Sequence, residues 1–151
     1  MNILRRFIAL VFLILYVIGT DDVRANENLH LVAITNKSIS TLTKSDIHAY
    51  FSLRKQLLPS GNKVVLITLP LNSPETLRFS QIVFDYYPYQ LARAWDARVF
   101  AGKGALPIEK PDKTSLIKFI TATQASIGYL LLDIDEIDTL SEQVNVFPIE
   151  E

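Results

Sequence analysis

Val64-Val65-Leu66-Ile67-Thr68-Leu69, followed by Pro70-Leu71-Asn72-Ser73-Pro74-Glu75, decides the fold class. The first six residues are β-branched or apolar with a single hydroxyl among them. A short run of that kind is a strand covered on both faces. The next six end in Ser-Pro-Glu. Serine caps a helix, proline suits its first turn, and an acid favours the positive end of the helix dipole. The segment therefore reads as a central strand running into a helix that should continue to about Tyr87, with Leu77, Ile82 and Val83 inward.

The same alternation extends in both directions. Leu29 to Ile34 is a short apolar run ended by Asn36-Lys37-Ser38, and predicts a first strand. Thr43-Lys44-Ser45-Asp46 places an acid three residues after a capping hydroxyl, predicting a helix to about Ser52 with Ile47, Tyr50 and Phe51 buried. Pro59-Ser60-Gly61-Asn62 is a turn. Pro88 breaks the helix that Ser73 opens. A second helix from about Tyr89 to Phe100 carries Leu91, Trp95 and Val99, and Gly102 and Gly104 end it. Asp112 opens a further helix with Leu116, Ile117 and Ile120 inside. Ile127 to Leu132 is another buried strand, and Val144 to Phe147 a last one. Strands alternating with helices predict an α/β domain with a mixed or parallel sheet.

The start of the chain has the layout of a secretory signal. Arg5 and Arg6 precede an apolar run from Phe7 to Ile18, and Val23-Arg24-Ala25 offers small residues for cleavage after Ala25. The run is too short to span a bilayer, which takes about 20 residues. Cleavage leaves 126 of the 151 residues as one domain, residues 26–151, with no stable membrane insertion. Without Arg5, Arg6, Arg24, Asp21 and Asp22 the balance is 12 basic against 14 acidic residues, which gives no electrostatic footprint for nucleic acid. There is no cysteine, hence no disulfide and no acylated cysteine behind the signal. A periplasmic location follows from the signal.

Catalytic and metal chemistry find little to use. The two histidines, His30 and His48, are scattered, and no serine sits in a glycine-flanked elbow. No enzyme and no cofactor are expected. Asp133, Asp135, Glu136 and Asp138 lack the glycine and final glutamate of a calcium loop and read as a solvated acidic loop. Tyr86, Tyr87 and Tyr89 around Pro88 suit a packed helix corner better than a ligand platform. Gly102-Lys103-Gly104 follows a helix and lacks the rest of a phosphate loop. What remains are two loops beyond strand ends. Ligands in open α/β sheets gather at the carboxyl ends of strands, against helix N-termini. The candidate binding residues are therefore Asn36, Lys37 and Ser38 on one loop, with Asn72, Ser73 and Thr76 on the other.

Four motifs carry a family resemblance across nearly all of the chain after the signal. Thr41-Leu42-Thr43-Lys44-Ser45-Asp46-Ile47 precedes Tyr50-Phe51 and the basic turn Arg54-Lys55. Leu69-Pro70-Leu71-Asn72-Ser73-Pro74 holds a strand end and a serine. Trp95 leads to Val99-Phe100-Ala101-Gly102-Lys103-Gly104 and Pro107. Ser126-Ile127-Gly128-Tyr129-Leu130 is a late glycine–tyrosine strand. In this order they resemble the small phosphate-type periplasmic solute-binding proteins, and the matching lobe of the full-length phosphate-binding protein of ABC transporters. The resemblance implies a single periplasmic-binding-protein-like lobe, a central mixed sheet flanked by helices. It also implies phosphate or a related small anion as ligand, with an ABC permease or a membrane sensor as partner.

The chain departs from that family at the ligand. The family's serine–glycine–threonine run becomes Ser73-Pro74-Glu75, and Leu69 and Leu71 stand where its arginine and acid would be. Proline removes a backbone donor. A carboxylate about 5 Å from an anion repels it by roughly 3 kcal/mol at an effective dielectric near 20, and the helix dipole returns at most about 2 kcal/mol. One lobe also supplies half a cleft, so burial of an anion calls for a second copy or another protein. Two functions follow: a solute-binding module for a small anion, or an interaction or sensory domain that keeps the fold without the phosphate site.

Overall fold

The computed structural model describes residues 28–150, so the expected signal segment lies outside the described residues. Within them, five strands and five helices alternate along the chain. They are β1 (His30–Thr35), α1 (Lys44–Phe51), β2 (Val65–Thr68), α2 (Pro74–Phe84), α3 (Pro88–Phe100), β3 (Ile108–Glu109), α4 (Lys113–Ala122), β4 (Ser126–Leu132), α5 (Ile134–Ser141) and β5 (Asn145–Pro148). The strands form one mixed sheet in the order β3-β2-β4-β1-β5. β2 runs parallel to β3 and β4, and β1 runs antiparallel to both β4 and β5.

Period-two alternation splits the core into two layers. Leu66, Ile127, Tyr129, Leu31 and Ala33 face one side and pack on α1, α2 and α3 through Phe51, Phe79, Leu91 and Trp95. Ile67, Leu69, Leu130, Leu132, Val32 and Ile34 face the other, on α4 and α5 through Leu116, Ile120 and Leu140. Strand β2 is thus covered on both faces, as its composition requires. Gly128 lets α4 approach. A Cβ there would lie 2.8 Å from Ile120 Cδ1 and 3.2 Å from Leu116 Cδ2.

The caps follow the sequence. Thr43 and Asp46 form a complete capping box at α1. Thr43 holds the Asp46 carboxyl below its ordinary range, with Lys55 adding an ion pair at 2.9 Å. Ser73 and Asp112 accept hydrogen bonds from Thr76 N and Ser115 N at the starts of α2 and α4.

Three expectations are corrected. Helix α2 ends at Phe84, where Asp85 takes the left-handed conformation (φ 57°), so the break precedes Pro88 by several residues. Its buried stripe is Thr76, Phe79 and Ser80, with Val83 partly covered, whereas Leu77 and Ile82 are 41% and 40% exposed. Positions 76, 79, 80 and 83 make one helical face. The two hydroxyls are tolerated inside because each finds a partner. The acidic stretch from Asp133 is no loop but the start of α5. Asp133 accepts from Glu136 N at 2.8 Å while Glu136 accepts from Asp133 N at 3.1 Å, a capping box built from two acids. Sequence reading also passed over β3, whose two residues carry no periodicity.

Candidate functional site

Because β2, β3 and β4 are parallel, their carboxyl ends lie at one edge of the sheet, and α2, α4 and α5 all begin there. Three helix N-termini thus share the edge where α/β sheets hold ligands. Each is occupied by its own side chain: Ser73 on α2, Asp112 on α4 and Asp133 on α5. The bond from Ser115 N holds the Asp112 carboxyl below its ordinary range, so that end carries a fixed negative charge at neutral pH. Glu75, Glu109, Asp135 and Glu136 stand on the same loops and first turns, against Lys110 and Lys113. Lys113 is paired to Glu136 at 2.8 Å, and the Lys110 ammonium lies 3.8 Å over the Phe119 ring. The edge is net acidic.

Behind the α2 start lies a closed hydroxyl network. The Ser73 hydroxyl donates to Thr76 Oγ1 at 3.0 Å, and Thr76 Oγ1 donates to the Leu69 carbonyl at 3.2 Å. The Tyr129 hydroxyl is 2.9 Å from Thr76 Oγ1 and also bonds Thr68 Oγ1, which in turn donates to the Leu69 carbonyl at 3.0 Å. Thr68, Thr76 and Tyr129 are buried, and burial pushes the Tyr129 phenol up to about 12, so it stays neutral and protonated. Phe79 stacks on the Tyr129 ring at 3.8 Å between centroids.

The first turn of α2 is nearly out of donors. Pro74 has no N–H, Thr76 N is taken by Ser73 Oγ, and Leu77 N by the Ser73 carbonyl. Glu75 N–H is left, on the residue whose carboxylate repels an anion. A phosphate needs several converging donors, and this end offers one.

The six candidate residues fall into two groups at opposite ends of the sheet. Ser73 and Thr76 meet in the network, and Asn72 is exposed beside them. Asn36, Lys37 and Ser38 follow β1, which runs antiparallel to β4, so they lie beside the start of β4: Thr35 pairs with Ile127 and Asn36 N bonds the Ser126 carbonyl. The expectation that both loops line one site is corrected by that direction. The first loop is also committed to structure. Asn36 Nδ2 donates to the Ile120 and Thr121 carbonyls, both at 3.1 Å, and Asn36 Oδ1 accepts from Ser38 N. Lys37 Nζ donates to the Ser141 carbonyl at 2.8 Å, and Ser38 Oγ accepts from Ala125 N at 3.0 Å. These side chains close the ends of α4 and α5.

Thr68 and Tyr129 were missed as partners of Ser73 and Thr76. The signal available was a tyrosine inside an apolar strand, whose buried hydroxyl must find a bond. Among the described residues no group of three histidines or acids is placed to hold a metal, and no helix is long and apolar enough to cross a membrane.

No family model matches the chain, and no curated protein matches its sequence. Its architecture does match solved structures. It is similar to an ABC-type phosphate transport receptor from Vibrio cholerae, at 11% identity and a TM-score of 0.56, over 79% of this chain and 45% of the receptor. It is equally similar to PstS from Borrelia burgdorferi, at 14% identity and a TM-score of 0.58, over 80% of this chain and 47% of that one. The chain spans less than half the length of either protein. Its described residues therefore have the fold of one lobe of the phosphate-type solute-binding receptors, an α/β lobe with a mixed sheet flanked by helices.

Proposed function

We propose that this chain is a periplasmic interaction or sensory domain that keeps the solute-binding lobe and lacks its phosphate seat. The observation that carries this reading is the closed set of bonds at the start of α2, where Ser73, Thr76, Thr68 and Tyr129 satisfy one another and Pro74 and Glu75 replace donors. The acidic character of the whole edge points the same way. A protein partner, a membrane permease or a sensor, takes the place of the second lobe there. Leu71, on the loop after β2, and Ile134, the first residue of α5 and 61% exposed, offer it apolar contact.

The competing reading is a phosphate-type solute carrier for an ABC transporter, with Asn72, Ser73 and Thr76 as ligands. It is favoured by the names of the two similar structures and opposed by the donor count. Equilibrium dialysis against labelled phosphate separates the two. The protein is expected to retain no phosphate, while the double variant P74G/E75T, which restores a donor and removes a charge, should begin to. Phosphate binding by the unaltered protein that disappears in Ser73→Ala would establish the carrier instead. Export is part of the same reading: the mature protein recovered from the periplasm should begin at Asn26, by N-terminal sequencing. An uncleaved start would contradict it.

A further inference from the structure

A cavity lies away from the acidic edge. It has a volume of about 190 Å³ and is bounded by the C-terminal turn of α1, the end of α2 and the middle of α3. Its walls include Arg54, Arg98 and His48 as polar groups, and Phe84, Tyr86 and Trp95 as aromatic ones. No acidic residue lines it. Arg54, Arg98 and His48 form no ion pair among the described residues, whose ion pairs use Lys55, Arg78 and Lys113. Asp85 and Asp96, the acids nearest along the chain to Phe84 and Arg98, are exposed and do not line the cavity.

Arg98 is the telling residue. Its Nη2 donates to the Leu53 carbonyl at 3.1 Å. Its Nε is buried with no hydrogen-bond partner, the one such side-chain atom among the described residues. A buried donor on a permanent cation is costly to leave unmade. The neighbouring donors do not share the defect: Trp95 Nε1 bonds the Phe51 carbonyl at 2.6 Å, and Ser52 Oγ the Ala49 carbonyl at 3.1 Å. The cavity is thus lined by two arginines and a histidine with no counter-charge, and by aromatic side chains. His48 is held in place against Phe84, with 4.9 Å between ring centroids.

We propose that this cavity binds a small monocarboxylate with a flat apolar body. The carboxylate has two in-plane oxygens, which suit two guanidinium groups. Arg54, exposed at the rim, meets the acid first. Arg98, half-buried in the wall, supplies the second guanidinium. Phe84, Tyr86 and Trp95 enclose the apolar part. The volume is below the roughly 300–1,000 Å³ of sites for drug-sized ligands, which limits the body to about one ring or a short branched chain. This site is separate from the α2 start, and neither depends on the other.

Benzoate is the probe, with benzamide as its uncharged counterpart and inorganic phosphate as an anion control, read by isothermal titration and by thermal unfolding. Benzoate should bind with a measurable Kd and raise the melting temperature, whereas benzamide and phosphate leave both readouts flat. Arg54→Gln, at an exposed residue whose side chain makes no hydrogen bond or ion pair, should weaken benzoate at least tenfold without moving the ligand-free melting temperature. Arg98→Lys keeps the charge but loses the planar edge, and should weaken binding by a similar factor. Absence of benzoate binding would overturn the site, as would equal binding of benzamide or an affinity indifferent to Arg54→Gln.

Discussion

Tyr129 makes the account testable at the scale of one residue. Its phenol is pushed up to about 12 by burial, from an ordinary value of 10. Between those values the unfolded chain gives up the proton and the folded chain keeps it, so stability falls as pH rises. The contribution is complete below about pH 10 and is lost as pH rises towards 12; two units correspond to roughly 2–3 kcal/mol. Urea unfolding across that range should show the decline, and Tyr129→Phe should flatten it at a cost of about 1 kcal/mol at pH 7 for the lost hydroxyl bonds. An equally steep decline in the variant would mean that other groups drive it. Gly128 is the second such residue. Gly128→Ala forces a methyl against Ile120 and Leu116 and should destabilise by about 1–3 kcal/mol, without altering the α2 start. The glycine–tyrosine pair is visible in the sequence. What each residue faces is not, because the atoms around Tyr129 come from β2 and α2, some fifty to sixty residues away, and those against Gly128 depend on how α4 folds back on the sheet.

At the scale of elements, helix starts were legible because their chemistry is local. Thr43 with Asp46, Ser73 before Pro74, and Asp112 each satisfy a backbone N–H within a few residues, and all three caps are present. The same logic applies to α5, whose Asp133–Glu136 box lies in the stretch that reads from sequence as a solvated acidic loop. Asp133→Ala should cost about 1 kcal/mol in denaturant unfolding by opening that box; an unchanged midpoint would show that Leu140 packing alone holds the helix. Ser73→Ala should cost a similar amount, and it leaves phosphate binding undetectable before and after. Strand direction was the element property that sequence could not supply. Nothing in Leu29 to Ile34 distinguishes an antiparallel central strand from a parallel one, since both are buried on two faces. That one property moved Asn36, Lys37 and Ser38 to the far end of the sheet.

At the scale of the molecule, the described residues form one lobe with two complete core layers, and the solved structures they resemble are about twice as long. A lobe with its sheet edge exposed can either share a ligand with a second lobe or present that edge to a protein. The bonds at the α2 start favour the second course, because the donors an anion would use are already spent and the neighbouring charges are negative. The central claim is that this end holds no phosphate, and thermal unfolding of the protein with and without millimolar phosphate tests it most directly. A ligand at a hundred times its dissociation constant adds about 2.7 kcal/mol, a shift on the order of ten degrees or somewhat less for a domain of this size. The curves with and without phosphate should superimpose. A phosphate-dependent rise of several degrees that vanishes in Ser73→Ala would contradict it and return the chain to the solute carriers.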